Sequence, residues 1–333
     1  MAVSELGGIA EIEGWTQPVH RPFLSRLWSG LRNFARKKPL GAVCGFIVIS
    51  FMIIGDLVPE TVNKISSTAG IADRPVPYLA DQLEKSTGLF YPYAKQDLRA
   101  RLQGPSSKHL LGTDSIGRDI LSRLLYGART AVMVSFGAVF ISSTMQILIS
   151  IPAGYYGGWY DKIMYRVVDV MDSLPGLVIL ITVLGIFGSG LWQMIFAIGV
   201  LGGFGGRTLR GQTIYLMASP FIEAARVIGA SDSRIMYRYI IPNVFPLIIL
   251  YSTLRLGGVV LQEASLSFLG YGLPPPFPSW GQMLSLEGRE YMRTQPGLAI
   301  YPGLAIGLLV FSFNLFGDAL RDVLDPRLRG SRR

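Results

Sequence analysis

Two histidines, His20 and His109, and one cysteine, Cys44, are the whole supply of imidazole and thiol in 333 residues. Zinc and iron centres need several such ligands at close spacing. Neither histidine has neighbours of that kind, so no metal site is expected and both read as solvated loop residues. A lone cysteine makes no internal disulfide and no thiolate cluster, and within an apolar run it reads as a small core-filling side chain. No Gly-Lys dipeptide occurs anywhere, which removes the phosphate-binding lysine of a P-loop and with it any P-loop ATPase. The glycine-rich "GVLGGFGGRTLRG" of residues 199–211 lacks the preceding strand and downstream acidic residue of a dinucleotide loop. Small residues that let membrane helices approach closely fit it better. No Ser/His/Asp or Cys/His constellation can be assembled around these histidines, so catalysis is not expected of this chain.

What remains is charge in apolar surroundings. Arg255 falls about a dozen residues into a long apolar run, where an unpaired arginine costs about 2.5–3.5 kcal/mol on the milder insertion scale. It must face protein or water. Glu263 follows eight residues later, roughly on the same helical face. The pair can line a path through the membrane, or make a structural ion pair to a neighbouring helix or subunit, and the sequence leaves both open. Asp169 and Asp172, close to Arg166, read as an interfacial charge cluster.

The elements that must hold these residues follow from composition. Half of the residues are hydrophobic, only 16% are charged, and the mean hydropathy is +0.40, whereas soluble domains run near a quarter charged. A stretch of about 20 apolar residues crosses a hydrocarbon core about 30 Å thick. Apolar runs at 40–57, 130–155, 167–187, 191–206, 244–269 and 298–316 predict about six transmembrane helices, an all-α integral membrane protein. The first follows Arg36, Lys37 and Lys38 and lies too far from the N-terminus for a cleaved signal peptide. Alternation puts residues 21–38, the 161–166 turn, the 207–243 region and the tail from 321 on one face. All four carry Lys or Arg, which makes that face cytoplasmic, both termini included. The net charge of +9 is spread over these loops, so no nucleic-acid partner is expected.

Two polar stretches interrupt the apolar pattern. In "GTDSIGRDILSRLLYGAR" the apolar residues recur at helical spacing, predicting an interfacial helix at the outer surface, with Asp114 as a candidate cap. In "EAARVIGASDSRIMYRYIIPN", residues 223–243, Ser219-Pro220 reads as an N-cap and first helical residue, with Glu223 in the opening turn. Ala224, Ala225 and Gly229 offer a surface with little side chain, and Gly229 or Ser231 turns the chain. A second helix runs from Asp232 to Ile240, with Pro242 as its stop. The product is a helix-turn-helix knob with Arg226, Arg234 and Arg238 for polar contacts. It either docks into a partner's groove or merely lies along the membrane surface.

"EAA", three residues, "G", then nine residues to "YIIP" resembles the EAA loop of permease subunits in binding-protein-dependent ABC importers. "LLGTDSIGRDILSRLLYGAR" (110–129), "EASLSFLGYGLPPPFPSWGQML" (263–284) and "FNLFGDALRDVLDPRLRG" (313–330) narrow the likeness to the second permease subunit of the dipeptide/oligopeptide/nickel group. Tyr239 stands where that group usually has histidine, and Gly202 to Gly206 replace a bulkier entry to "RTLRGQ".

The resemblance implies a division into a cytoplasmic segment 1–39, a first transmembrane helix 40–58, an extracytoplasmic segment 59–128, a core permease domain 129–320 containing the coupling loop 218–243, and a basic tail 321–333. It implies a bacterial or archaeal cytoplasmic membrane. As partners it implies a homologous second permease, two ATPase subunits that bind ATP and Mg, and an extracytoplasmic solute-binding protein. ATPase-coupling residues carried over are Glu223, Ala224, Ala225, Gly229, Ala230, Ser231, Arg234 and Pro242. The chain itself would hold no cofactor and would form half of a path for short peptides, nickel or other small solutes. A stand-alone secondary transporter is the alternative, though ionisable coupling residues beyond Arg255 and Glu263 are few.

Overall fold

The computed structural model describes residues 35–36, 38–50 and 93–324. His20, most of the 59–108 segment, the end of the first predicted span and the tail beyond 324 lie outside the described residues. Among the described residues the chain is helical, without a strand. We number the helices α1 (Pro39–Ser50), α2 (Ile120–Tyr156), α3 (Gly158–Ser173), α4 (Gly176–Phe187), α5 (Leu191–Gly203), α6 (Arg207–Met217), α7 (Pro220–Val227), α8 (Asp232–Phe268), α9 (Trp280–Met283) and α10 (Gly297–Leu324). By length and apolar composition α2, α8 and α10 can cross a membrane. The pair α3–α4 makes a fourth span if counted as one, while α1 and α5 are shorter apolar helices. Of the about six expected spans, three or four are thus long enough to cross, and the first and fourth correspond to the shorter apolar helices α1 and α5 among the described residues.

Two predicted spans differ from expectation for local reasons. The third breaks at Leu174-Pro175, and α3 and α4 meet at 90°. Proline disfavours helical geometry in the residue before it, and Leu174 is extended at ψ 142°. The predicted interfacial helix is not separate: α2 begins at Ile120 and runs unbroken for 37 residues through the second span. Its cap is Asp119, which accepts from the Ser122 backbone N–H at 2.8 Å, rather than Asp114.

Small residues set the closest packing. A Cβ on Gly137, Gly199 or Gly203 would come within 3.0, 2.8 and 2.5 Å of Ile195, Ile141 and Met145, so α5 lies against α2 in parallel with almost no gap. The glycines sit four apart on α5, the spacing by which membrane helices bring their backbones together. Around this seam Ala138, Ile198, Val260, Leu309 and Phe313 form the main apolar core, and buried Trp280 donates its indole N–H to the Leu124 carbonyl at 2.9 Å. α10 packs along α8, with Gly317 against Leu254 at one level and Asn314 beside Gly257. Lys38 pairs with Asp322, which brings the start of α1 to the end of α10.

A second, separate core lies at one end of the bundle. Ile151 and Tyr155 of α2, Leu209 and Leu216 of α6, Ile222 and Ala225 of α7, and Ile235, Ile240 and Val244 of α8 enclose it. This hairpin end also holds α3, tied to α6 by the Arg210–Asp161 pair and by Arg207, which reaches Asp169 at 2.9 Å and Asp172 at 3.0 Å. The two aspartates therefore serve Arg207, which makes the charge cluster there a bridge between helices.

At the far end, residues 97–119 fold back on the 280–296 connection through buried charge. Arg118 bonds Asp114 at 2.6 Å and Glu287 at 2.7 Å, and Arg123 lies 3.6 Å from Asp114. Asp114 is fully buried and also accepts from the backbone N–H of Ile116 and Arg118. His109, expected to be solvated, is 5% exposed, with Nδ1 3.0 Å from Asp119. Burial pushes the Glu287 carboxyl above its usual range and the neighbouring Asp114 carboxylate adds to this, against the pull of Arg123 and Arg118. Asp114, Arg118 and Arg123, polar residues between the apolar positions, are paired with one another or with Glu287 and buried rather than facing water.

Candidate coupling hairpin and membrane pocket

The hairpin is built by local chemistry. Pro220 opens α7 with Ser219 extended before it, though the serine side chain makes no capping bond. Gly229, at φ +81°, ends the helix: its N–H reaches the Arg226 carbonyl at 2.9 Å, and the Ala230 N–H reaches that of Ala225 at 3.0 Å. These two bonds are a Schellman motif, and the left-handed residue they require is glycine. Ser231 then leads into α8.

The second helix does not stop at Pro242. α8 continues to Phe268 through a single wide turn, Met236–Ile240, in which the Ile241 N–H bonds the Met236 carbonyl five residues back. Proline cannot donate to the carbonyl four residues before it and clashes with it; widening the preceding turn removes the conflict. The Asn243 side-chain amide supplies a donor to the Tyr239 carbonyl at 2.6 Å. The second helix of the knob is therefore continuous with a helix long enough to cross the membrane.

Burial sorts the predicted coupling residues. Glu223, Ala224, Gly229, Ser231, Arg234 and Pro242 are exposed, and Ala230 is half-buried. Ala225 is 3% exposed and faces the hairpin's own core, a correction to its place on the outer surface. It is small because α7 lies tight against that core. Two apolar residues the sequence reading did not single out, Val227 and Ile228, stand 83% and 78% exposed beside Gly229, with nothing near the glycine's open side. Tyr155 at the end of α2 donates its hydroxyl to Asp232 at 2.6 Å, and the Arg226 guanidinium lies 5.7 Å over the same ring. No sequence signal marks that link, because its partners are 77 residues apart.

Arg255 and Glu263 are not brought together. Glu263 is 1% exposed and accepts from its helical neighbour Ser267 at 2.8 Å. Arg255 instead donates from Nη1 to the Gly202 carbonyl at the end of α5, at 2.9 Å. Gln146 donates to the same carbonyl at 3.0 Å. A Cβ at position 202 would land on the guanidinium, so the glycine run at 202–206 makes room for the arginine as well as for α2. Arg255 borders a cavity of about 340 Å³ between α2, α6 and α8, with Ser143, Gln146, Thr208, Tyr251 and Ser252 on its walls. Among the described residues no cluster of His, Cys, Asp or Glu is placed to hold a metal ion.

Comparison with known proteins bears on this arrangement. Residues 146–330 match the family model described as the binding-protein-dependent transport system inner membrane component. The chain is 44% identical over 229 residues to the glutathione transport system permease protein GsiD of Escherichia coli O6:K15:H31, covering 68% of this chain and 75% of that one. The protein of the same description from Pectobacterium atrosepticum is 43% identical over equal coverage. A solved inward-facing structure of the MetNI methionine ABC transporter aligns with 58% of this chain and 94% of its own, at 20% identity and a TM-score of 0.42.

Proposed function

Since the chain belongs to the family of inner membrane components of binding-protein-dependent transport systems, we propose that its hairpin is the coupling element through which partner ATPase subunits drive solute import. The observation that carries this reading is the exposed surface of Glu223, Ala224, Val227, Ile228 and Gly229, set on a core of its own and continuous with α8. Exposed apolar side chains flanking small residues at a helix turn fit a groove in another protein. In this arrangement the hairpin end faces the cytoplasm, ATP and Mg are held by the partners, and closure of the ATPases pushes α7 and α8 together. A homologous permease completes the path, and an extracytoplasmic binding protein delivers the solute. Short peptides are the solute class we propose, in line with the glutathione permeases that resemble the chain.

Purification of the tagged chain in mild detergent from its native membrane is expected to recover a second permease and P-loop ATPases. Ala224→Trp keeps a left-handed glycine out of the experiment and fills the docking surface from a helical, exposed position. It is expected to leave membrane insertion intact while the ATPases are lost from the purified material. Unchanged recovery of the ATPases with that variant would sink the coupling role.

A further inference from the structure

Arg255 has more donors than its surroundings use. A guanidinium carries five N–H groups, and the bond to the Gly202 carbonyl is its one hydrogen bond among the described residues. No described carboxylate lies within ion-pair distance of it. Gly202 closes the end of α5, so a modest helix-end interaction accounts for that single contact. It does not account for the group of polar side chains gathered beside Arg255 on a wall otherwise made by Leu209, Leu247, Ile248 and Leu254. The Ser143 and Ser252 hydroxyls meet at 2.7 Å across it, Tyr251 and Thr208 line it, and Gln146 reaches in from α2. An uncompensated cation in a membrane-spanning helix marks a path for something of opposite charge.

We propose that this pocket is a transit site for the carboxylate of the imported solute. The inference rests on the import reading above and names the chemistry recognised inside the membrane. A carboxylate accepts from the N–H donors of an arginine and from hydroxyls, and Arg255, Ser143 and Ser252 all line this cavity. The volume of about 340 Å³ is at the low end for ligand pockets, which run to about 1,000 Å³. It suits a terminal carboxylate and its residue, with the rest of a peptide in the open mouth. Arg255 would be a specificity residue, and Gly202 a positioning residue that leaves it room.

The test uses the full complex in proteoliposomes with its binding protein loaded to equal occupancy with trialanine or with trialanine amide. Arg255→Gln is expected to lower uptake of the free acid about tenfold, to the level of the amide, and to leave amide uptake unchanged; Arg255→Lys restores part of the difference, and Gly202→Ala imitates the glutamine variant. An equal fall for acid and amide would reduce Arg255 to a helix-packing residue and overturn the proposal. So would no change in either. An anionic phospholipid retained by the native complex in mass spectrometry and lost in Arg255→Gln, with the acid-to-amide ratio unaltered, would assign the anion to lipid phosphate and also overturn it.

A separate readout covers failure of the import reading itself. In a Cys44→Ser background, a cysteine placed by Ser252→Cys is expected to react faster with an anionic than with a cationic methanethiosulfonate, and to lose that preference with Arg255→Gln. The preference supports an anion site even if the assembled complex moves neither peptide, in which case the peptide reading falls alone. Its absence with Arg255 in place counts against the site.

Discussion

Single side chains at the hairpin end tie it to the rest of the bundle. Tyr155 connects the end of α2 to the first residue of α8 through one hydroxyl hydrogen bond to Asp232. Losing such a bond costs about 1 kcal/mol, a roughly fivefold change in an opening equilibrium. Tyr155→Phe keeps the ring against the apolar core and removes only the bond. It is expected to raise proteolytic cleavage in the hairpin about fivefold and to lower solute moved per ATP, with insertion unchanged. Equal cleavage rates would show that the core under α7 alone holds the hairpin. Gly229 is the opposite case, a residue legible in advance because a helix end in the left-handed region favours glycine whatever its neighbours are.

At the scale of elements, glycine spacing sets which helices touch. Gly199 and Gly203 bring α5 against α2, and the space a Cβ would need is already filled by Ile141 and Met145. Overpacking of this kind costs about 1–3 kcal/mol. Gly199→Leu is expected to lower the thermal midpoint in detergent and to separate the two helices, whereas Gly258→Leu, at a site with open space beside it, is expected to leave the midpoint unchanged. The wide turn before Pro242 and the 90° bend at Pro175 are two outcomes for one residue type. Before Pro242 the helix absorbs the missing donor because packing holds both sides; at Pro175 the chain has turned out of the helix already at Leu174. Sequence alone marks Pro242 as a stop and Pro175 as a kink within a span, and the rule that decides between such outcomes is tertiary.

Across the whole molecule, the far end is closed by a charge network linking residues 169 positions apart, Arg118 and Glu287. With its pKa raised above the ordinary carboxylate range, Glu287 holds a proton in the folded state that the unfolded chain has released. Stability of this corner therefore falls as pH rises from the ordinary carboxylate value through the raised one. Hydrogen exchange in residues 97–119 is expected to speed up over that interval, and Glu287→Gln to flatten the dependence. A slope unchanged by the substitution would place the titration elsewhere.

The membrane class, the six apolar segments, the hairpin and its turn at Gly229 were all legible in the order of residues, because hydropathy, glycine and proline act over a few neighbours. The family likeness rested on motifs of the same local kind. Four placements were decided only in three dimensions: Ala225 turned inward, His109 and Asp114 buried with charged partners, Asp169 and Asp172 given to Arg207, and Arg255 parted from Glu263 and set over Gly202. Apart from Asp114, whose partners Arg118 and Arg123 are near in sequence, each depends on a partner at least 10 residues away or on a face that helix packing selects. Local periodicity can say that a charge must be paired; only the folded bundle determines with what, because the energy of a buried charge is set by whichever groups the packing brings within a few ångströms.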